Sequence, residues 1–215
     1  MAVLDSHIRP GISELDLWSH LHAENIRRGG EWIETRIMSS GPRTNPWYQE
    51  CSARVLREGE LLALDTDLIG PYGMCADMSR TWFVGDGKPN DEQRRLFSIA
   101  HDHIMTNMEM LKPGVSFAEL TKKSDRLPDE FRPQRYGILM HGVGLCDEFP
   151  GIYYPEDFNE GVVEGFVLKP GMMLCVEAYI GEVGGHEGVK LEEQVIVTET
   201  GAELMSSYPF ELDWL

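Results

Sequence analysis

Three aspartates in two adjoining apolar runs constrain the fold of this chain more than any other feature. Residues 61–85 read LLALDTDLIGPYGMCADMSRTWFVG, and the strand-like runs on either side of a Gly-Pro turn carry Asp65, Asp67 and Asp77. A buried carboxylate without a partner costs several kcal/mol, so proteins avoid it, protonate it or pair it with a cation. The stretch therefore predicts a core hairpin whose aspartates share a positive partner.

Strand alternation predicts which of these side chains lie together. It places Asp65 and Asp67 on one face, and Leu64 and Leu68 on the other. Two carboxylates on one face repel each other unless a cation lies between them, and Asp77 on the returning strand can reach the same point. The alternative is that the aspartates lie at strand ends in water. The apolar setting of all three favours a metal site.

The same pattern recurs near the C-terminus. The run MMLCVEAYI is apolar except for Glu177, and KLEEQVIVT carries Glu192 and Glu193 directly before an apolar segment. Alternation groups Glu193 with Leu191 and Val195, which favours Glu193 as the inward residue. The sequence alone leaves the choice between Glu192 and Glu193 open.

A single histidine completes the candidate ligand set. His141 lies in LMHGVGL, between small residues that let the backbone approach a site closely. Such a histidine is by itself more often a hydrogen-bonded core residue, but the carboxylates on core strands favour a metal ligand. Carboxylates with one imidazole suit divalent Mn, Fe, Co or Zn. Bridging carboxylates are what a pair of metal ions requires.

The periodicity of the chain predicts a mixture of helices and strands. Helices are expected over residues 13–28 and about 91–111, with another from 116. Residues 125–170 are expected to be rich in loops. Strands are expected over residues 31–40, 60–68, 74–84, 172–180 and 190–198. This order is not a regular βαβ alternation, so it predicts an α+β fold with antiparallel pairing.

Composition excludes several classes of function. The chain has 36 acidic and 19 basic residues among 215, for a net charge of -17. Nucleic acids and anionic membranes bind basic faces, so neither is an expected partner, and a small-molecule substrate is. The 4 cysteines include no CxxC pair, and the N-terminus lacks a signal pattern. We therefore expect a cytoplasmic location.

The ordered motifs resemble the pita-bread superfamily, which includes methionine aminopeptidase, prolidase, aminopeptidase P and creatinase. The resemblance rests on Asp, Asp, His, Glu and Glu in or near MCADMSRTWFVG, HGVGL, LKPGMMLCVEAYIG and KLEEQVIVTETG. It implies a pita-bread fold, a curved and mostly antiparallel sheet with helices on its outer face, in a single catalytic domain over residues 1–215. It also implies a dinuclear metal site with ligands Asp77, His141, Glu177 and Glu192, and it thereby selects Glu192.

Three departures separate the chain from the peptidases of this superfamily. Those enzymes have a histidine in a Pro-His-Tyr loop, where this chain has Trp47 in PWY. They have a second histidine beyond the HGIGL motif, where Asp147 stands. The doublet of Asp65 and Asp67 replaces a single aspartate. Creatinase also departs from the peptidases, but it lacks the metal ligands that this chain keeps.

The same residues resemble the dimethylsulfoniopropionate lyases of the DddP type. The resemblance implies β-elimination to dimethyl sulfide and acrylate, with Asp147 as the base and Tyr136 as a second catalytic residue. Two divalent transition-metal ions are implied, iron foremost and zinc, manganese or cobalt otherwise. A sulfonium cation favours aromatic faces, which Trp47, Tyr48 and Tyr153 are expected to supply. The implied metal ligands are Asp65, Asp67, Asp77, His141, Glu177 and Glu192.

The leading hypothesis is therefore a homodimeric, dinuclear metal-dependent lyase for dimethylsulfoniopropionate or a related sulfonium or betaine carboxylate. One alternative is a metallopeptidase of the Xaa-Pro aminopeptidase or prolidase type. The other is a non-catalytic binding module on the same fold. Pita-bread domains open with a helix before the segment that begins here at His7, so we also expect the chain to be truncated at its N-terminus.

Overall fold

The structure, a computed structural model that describes residues 1–159 and 165–215, combines helices with antiparallel strands. The helices are α1 Ala2–Asp5, α2 Glu14–Arg27, α3 Asp91–Met108 and α4 Phe117–Lys123. The strands are β1 Trp32–Ile33, β2 Met38–Ser40, β3 Leu61–Asp65, β4 Leu68–Ile69, β5 Cys75–Ala76, β6 Ser79–Phe83, β7 Ile138–Gly142, β8 Gly151–Tyr153, β9 Met173–Gly181, β10 Gly188–Val197 and β11 Ala202–Leu204. Among the described residues, no helix is long and apolar enough to cross a membrane.

Side-chain caps begin the two long helices where the sequence predicts them. Ser13 accepts a hydrogen bond from the backbone N–H of Asp16, whose carboxylate accepts one from the backbone N–H of Ser13. Asn90 and Gln93 form the same reciprocal pair at the start of α3. These capping boxes satisfy amide groups that the first turn of a helix leaves without partners. The short α4 begins at Ser116, whose side chain also accepts a backbone hydrogen bond.

The described strands form three antiparallel sheets. The largest has the strand order β11-β10-β9-β7-β8, the second β2-β3-β6 and the third β1-β4-β5. Helix α3 packs on one face of β9 and β10, where Phe97 and Ile104 join Val176 and Leu191 in the main core. Strands β3 and β6 pack against β10. The predicted α+β architecture with antiparallel pairing is confirmed.

The predicted long hairpin is two short hairpins in two different sheets. Strand β3 pairs with β6, whereas β4 pairs with β5. The pairing between the two strand-like runs is interrupted at Thr66 and Asp67. Asp67 adopts a φ of 38°, which is rare for a residue other than glycine. The side chain of Thr66, through Oγ1, accepts a hydrogen bond from the backbone N–H of Met78. Alternation therefore does not extend to Asp67, which lies beyond the end of β3.

Two further differences concern short strands. Residues 125–170, predicted to be rich in loops, contain β7 and β8, so His141 lies on a strand of the large sheet. The single strand predicted over residues 31–40 is β1 and β2, which belong to different sheets. Strands of 2 to 5 residues carry too little periodicity to be identified from sequence, and tertiary pairing decides where they form.

Glu14 is a buried carboxylate that ties α2 to the segment after it. Its oxygens accept hydrogen bonds from the backbone N–H and hydroxyl groups of Ser40 and Ser52, and they pair with Arg43. We expect Glu14→Ala to lower the free energy of unfolding by about 3–5 kcal/mol, because these donors lose their common acceptor. Urea denaturation measures the change. Leu15→Ala at the exposed neighbour is the control, and a similar loss there would contradict the prediction.

Candidate metal centre

The face of the large sheet away from α3 carries polar side chains in register. Glu177 on β9 is directly opposite Glu192 on β10, and Cys175 is opposite His141 on β7. Residues that face each other across an antiparallel pair project to the same side, with their Cβ atoms about 5 Å apart. Lys190 lies two residues from Glu192 and so shares this face. Strand pairing thus gathers the predicted histidine and glutamates.

Glu192, and not Glu193, faces this cluster. Glu193 shares a face with Leu191, as alternation predicts, but that face packs on the main core. There Glu193 forms a buried ion pair with Arg80. Glu192 Oε1 instead lies 3.1 Å from His141 Nε2. The alternation was correct, and the assumption that the apolar face is also the site face was wrong.

The three aspartates lie together beside the glutamates. Carboxylate oxygens of Asp65, Asp67 and Asp77 are within 4.8 Å of one another, and all three residues are buried. A second group within the same distance is formed by Asp77, His141, Cys175 and Glu192. Asp77 belongs to both groups. The structure therefore has two adjacent candidate metal sites, each surrounded by several potential ligand atoms.

The donor set fits divalent metal ions. Glu177 Oε1 is buried 3.5 Å from His141 Nε2 and has no hydrogen-bond partner among the described residues. His141 Nδ1 lies 3.2 Å from Gly142 O; in the tautomer that carries its proton on Nδ1, that proton is donated to Gly142, and Nε2, 3.1 Å from Glu192 Oε1, presents its lone pair to the carboxylates. The residues that would hold the ions are Asp65, Asp67, Asp77, His141, Glu177 and Glu192.

Burial raises the pKa of most of these carboxyl groups, and their mutual repulsion raises it further. The pKa of Asp67 rises to about 7 and that of Glu177 to about 8, and the pKa of Asp77 is well above its ordinary value. Glu192 is the exception, because Lys190 and His141 outweigh the effect of burial and lower its pKa. Protons and metal ions therefore compete for this cluster.

Sequence reasoning missed Lys190, whose ammonium group lies inside the cluster. The Lys190 side chain is 1% exposed, and its Nζ lies 2.8 Å from Glu177 Oε2, 3.0 Å from Asp65 Oδ2 and 3.3 Å from Glu192 Oε2. It also donates a hydrogen bond to Ser79 Oγ at 2.9 Å. The signal was its spacing of two residues from Glu192, which puts both on one face of a strand.

Cys175 lies among the candidate ligand atoms and is not one of the ligands that the sequence predicts. Its thiol donates a weak hydrogen bond to Asp77 O at 3.6 Å. Burial raises the pKa of the Cys175 thiol well above its ordinary value. Cys175 is therefore a neutral thiol in the wall of the site.

A cavity of about 330 Å³ adjoins the metal-ligand cluster at Asp67. Asp147 lines it, with Oδ1 4.0 Å from His141 Nδ1, and burial raises the pKa of Asp147 to about 6. A space of this size suits a small molecule. The full lining is Glu34, Thr35, Ile37, Tyr48, Asp67, Asp147 and Glu148. A larger cavity of about 510 Å³, near the N-terminus, is lined by no residue of the cluster.

The aromatic residues singled out in the sequence have different surroundings. Tyr48 lines the cavity and is 56% exposed, with its ring centre 5.5 Å from that of Tyr136. The Tyr136 hydroxyl donates a hydrogen bond to Glu148 at 3.0 Å. Trp47 is buried in a small hydrophobic cluster, where its ring stacks on that of Tyr179. Tyr153 lies on the edge strand β8 and does not line the cavity.

Comparison with known proteins identifies the family. The sequence profile of Metallopeptidase family M24 matches residues 1–199. The chain belongs to this family. Two relatives of the M24 chain are named dimethylsulfoniopropionate lyase DddP. The one from Roseovarius nubinhibens is 57% identical over 93% of the chain, and the one from Roseobacter denitrificans is 51% identical over 96%.

A solved structure agrees with this M24 assignment. The Xaa-Pro dipeptidase from Bacillus anthracis matches 97% of the chain with a TM-score of 0.81 and 28% sequence identity. The M24 chain therefore has the pita-bread fold that the sequence motifs imply. It spans 44% and 46% of the length of the two DddP relatives and 56% of the dipeptidase chain.

Proposed function

We propose that this M24 chain is the catalytic domain of a metal-dependent lyase that cleaves dimethylsulfoniopropionate, or a related sulfonium or betaine carboxylate, to dimethyl sulfide and acrylate. The observation that carries the proposal is Asp147, which lines the cavity 4.0 Å from His141. With a pKa of about 6, its carboxylate is ionised at neutral pH and can accept a proton. The names of the two DddP relatives support the same reaction.

The proposed reaction is an elimination in which Asp147 is the base. Asp147 takes the proton α to the substrate carboxylate, the electrons of that C–H bond form the carbon–carbon double bond, and the C–S electrons leave with dimethyl sulfide. Two divalent ions held by the cluster, when bound, supply positive charge for the substrate carboxylate and for the charge that develops beside it. Tyr48 and Tyr136 offer rings near the cavity that suit a sulfonium group.

Several parts of this assignment stay predictions of the sequence. They are iron as the metal, a homodimer, a cytoplasmic location, a single catalytic domain over residues 1–215, and substrate contacts from Trp47 and Tyr153. Tyr136 is proposed as a catalytic residue because its hydroxyl hydrogen-bonds Glu148, which lines the cavity next to Asp147. Tyr136→Phe removes this hydroxyl and keeps the ring, so it tests the role of the hydroxyl alone.

Headspace gas chromatography of the purified, metal-loaded protein with dimethylsulfoniopropionate tests the proposal. We expect dimethyl sulfide and acrylate in equal amounts. Release of the N-terminal residue from an Xaa-Pro dipeptide, without sulfide, would instead support the peptidase alternative, which the shared fold with Xaa-Pro dipeptidase favours. A protein that retains no transition metal by elemental analysis would support the binding-module alternative.

The pH dependence of the reaction follows from the same carboxylate. Protonated Asp147 cannot act as a base, so we expect kcat/KM for sulfide release to fall below about pH 6, by about tenfold per unit at lower pH. The rate should level off above that value, where Asp147 is ionised. A pH profile at saturating metal measures this. A rate that stays constant down to about pH 5 would exclude Asp147 as the base.

A further inference from the structure

Lys190 is a buried cation that the proposed elimination does not use. Its position on β10 is fixed, because its backbone N–H donates to Thr81 Oγ1 at 3.1 Å and its carbonyl accepts from the same hydroxyl at 2.8 Å. From this anchored position its ammonium group reaches oxygens of Asp65, Glu177 and Glu192. A lysine is seldom buried so completely unless it is paired.

Lys190 and His141 contact opposite oxygens of the same two glutamates. Glu177 Oε2 and Glu192 Oε2 face Lys190 Nζ, at 2.8 and 3.3 Å. Glu177 Oε1 and Glu192 Oε1 face His141 Nε2, at 3.5 and 3.1 Å. Each glutamate is therefore held with one oxygen towards the ammonium group and the other towards the imidazole. Lys190 thereby orients the carboxylates of both glutamates.

The formal charges of the cluster balance only when Lys190 is counted. Five carboxylates are candidate ligands, and His141 would bind as a neutral imidazole. Two divalent ions neutralise four of the five negative charges, and the ammonium group of Lys190 matches the fifth. Among the described residues, no other lysine or arginine forms an ion pair with these carboxylates, since the buried Arg80 pairs with Glu193 on the opposite face.

We propose that Lys190 is a fixed internal counter-cation of the cluster, which stabilises the metal-free site and competes with divalent ions for the same carboxylates. The proposal rests on the proposed metal centre and not on the reaction that it catalyses. An interaction that is stronger in the metal-free protein than in the metal-bound protein lowers the affinity for metal. Lys190 is thus a positioning residue that limits how tightly the site binds its ions.

The test compares Lys190→Met with the wild-type chain, using Mn²⁺ alone as the probe. Methionine keeps most of the length of the side chain and removes its charge. We expect metal-free Lys190→Met to melt several degrees lower, because the carboxylates lose their cation. We also expect it to bind Mn²⁺ at least about tenfold more tightly in calorimetric titration, because a like charge beside the ions is gone. Addition of Mn²⁺ should then close most of the difference in melting temperature.

Two matched variants separate charge from shape. Lys190→Arg keeps the positive charge and should bind Mn²⁺ within about threefold of the wild-type affinity. Glu193→Gln changes the neighbouring residue on the opposite face of β10, and it should leave Mn²⁺ affinity unchanged while altering stability equally with and without metal. If Lys190→Arg gained as much Mn²⁺ affinity as Lys190→Met, the positive charge would not be what limits metal binding, and the proposal would be wrong.

Weaker Mn²⁺ binding by Lys190→Met, or equal melting temperatures of the two metal-free proteins, would overturn the proposal. If Lys190→Met does not fold without metal, the double variant Asp65→Asn with Lys190→Met is tested instead. It removes one negative and one positive charge, so the net charge of the cluster stays that of the wild-type protein. Recovery of the metal-free fold supports the proposal, and continued unfolding rejects it. A wild-type chain that binds no Mn²⁺ rejects this proposal and the metal centre together, whereas normal Mn²⁺ binding without sulfide release rejects only the lyase.

Discussion

Asp147→Asn is expected to lower kcat for sulfide release by about 10²–10⁴-fold while the protein keeps its metal. Asparagine has nearly the same shape but cannot accept the proton that the elimination removes. Asp147 Oδ1 lies 4.0 Å from His141 Nδ1 and accepts a hydrogen bond from the backbone N–H of Glu148, so the substitution changes no residue of the proposed ligand set. Gas chromatography measures turnover, and elemental analysis of the same sample measures metal, which we expect to stay near two ions per chain.

The neighbouring residue provides the control for this substitution. Cys146 is exposed beside Asp147 and does not line the cavity, so Cys146→Ser should retain turnover within about twofold. Loss of metal from Asp147→Asn would identify Asp147 as a ligand and contradict its assignment as the base. Unchanged turnover with full metal content would place the base elsewhere in the cavity.

His141→Ala is expected to lose metal and turnover together. The residue contributes the imidazole of the proposed ligand set, and its Nε2 lies within 4 Å of Asp77, Glu177 and Glu192. Loss of a group that only orients a ligand already weakens binding by about 10–100-fold, so we expect loss of the ligand itself to cost at least that much. Elemental analysis after dialysis and sulfide release at limiting metal measure the two effects.

An exposed histidine on a neighbouring loop is the matched control. His186 lies between β9 and β10 with its side chain 74% exposed, and His186→Ala should keep both metal and turnover. Chelation of the wild-type protein should reproduce the His141→Ala result, and addition of Fe²⁺, Mn²⁺, Co²⁺ or Zn²⁺ separately should show which ion restores turnover. Full turnover after complete chelation would contradict a metal-dependent mechanism.

The types of residue in the site could be predicted from sequence better than the faces on which they lie. Carboxylates inside apolar strands pointed to a cation, and the six candidate ligands do lie together. Alternation alone favoured Glu193, because a buried apolar face is easily taken for the site face. In this sheet both faces of β10 are buried, one against α3 and the other against the cluster. Period-2 patterns cannot separate two buried faces.

Other features depended on contacts that sequence reasoning cannot supply. The positive φ of Asp67 accompanies a hydrogen bond from its backbone N–H to the Asp77 carboxylate, ten positions along the chain. The burial of Lys190 depends on Asp65, more than a hundred positions away. Lysine is ordinarily exposed, so its residue type gives no reason to expect a buried side chain at position 190. Such pairings are determined by the tertiary fold and leave little trace in local patterning.

The division of the site between sheet and loops has an evolutionary consequence. His141, Glu177 and Glu192 stand on strands whose other face is the main core, so the strands that position these candidate ligands are also needed for stability. Tyr48 and Asp147 lie outside the strands, where substitutions leave the core untouched. A lineage can therefore exchange one chemistry for another by changing a few loop positions while it inherits the sheet intact. In this protein, loop substitutions can therefore change the catalytic residues with little loss of stability, because the sheet that positions the candidate ligands is also the structural core.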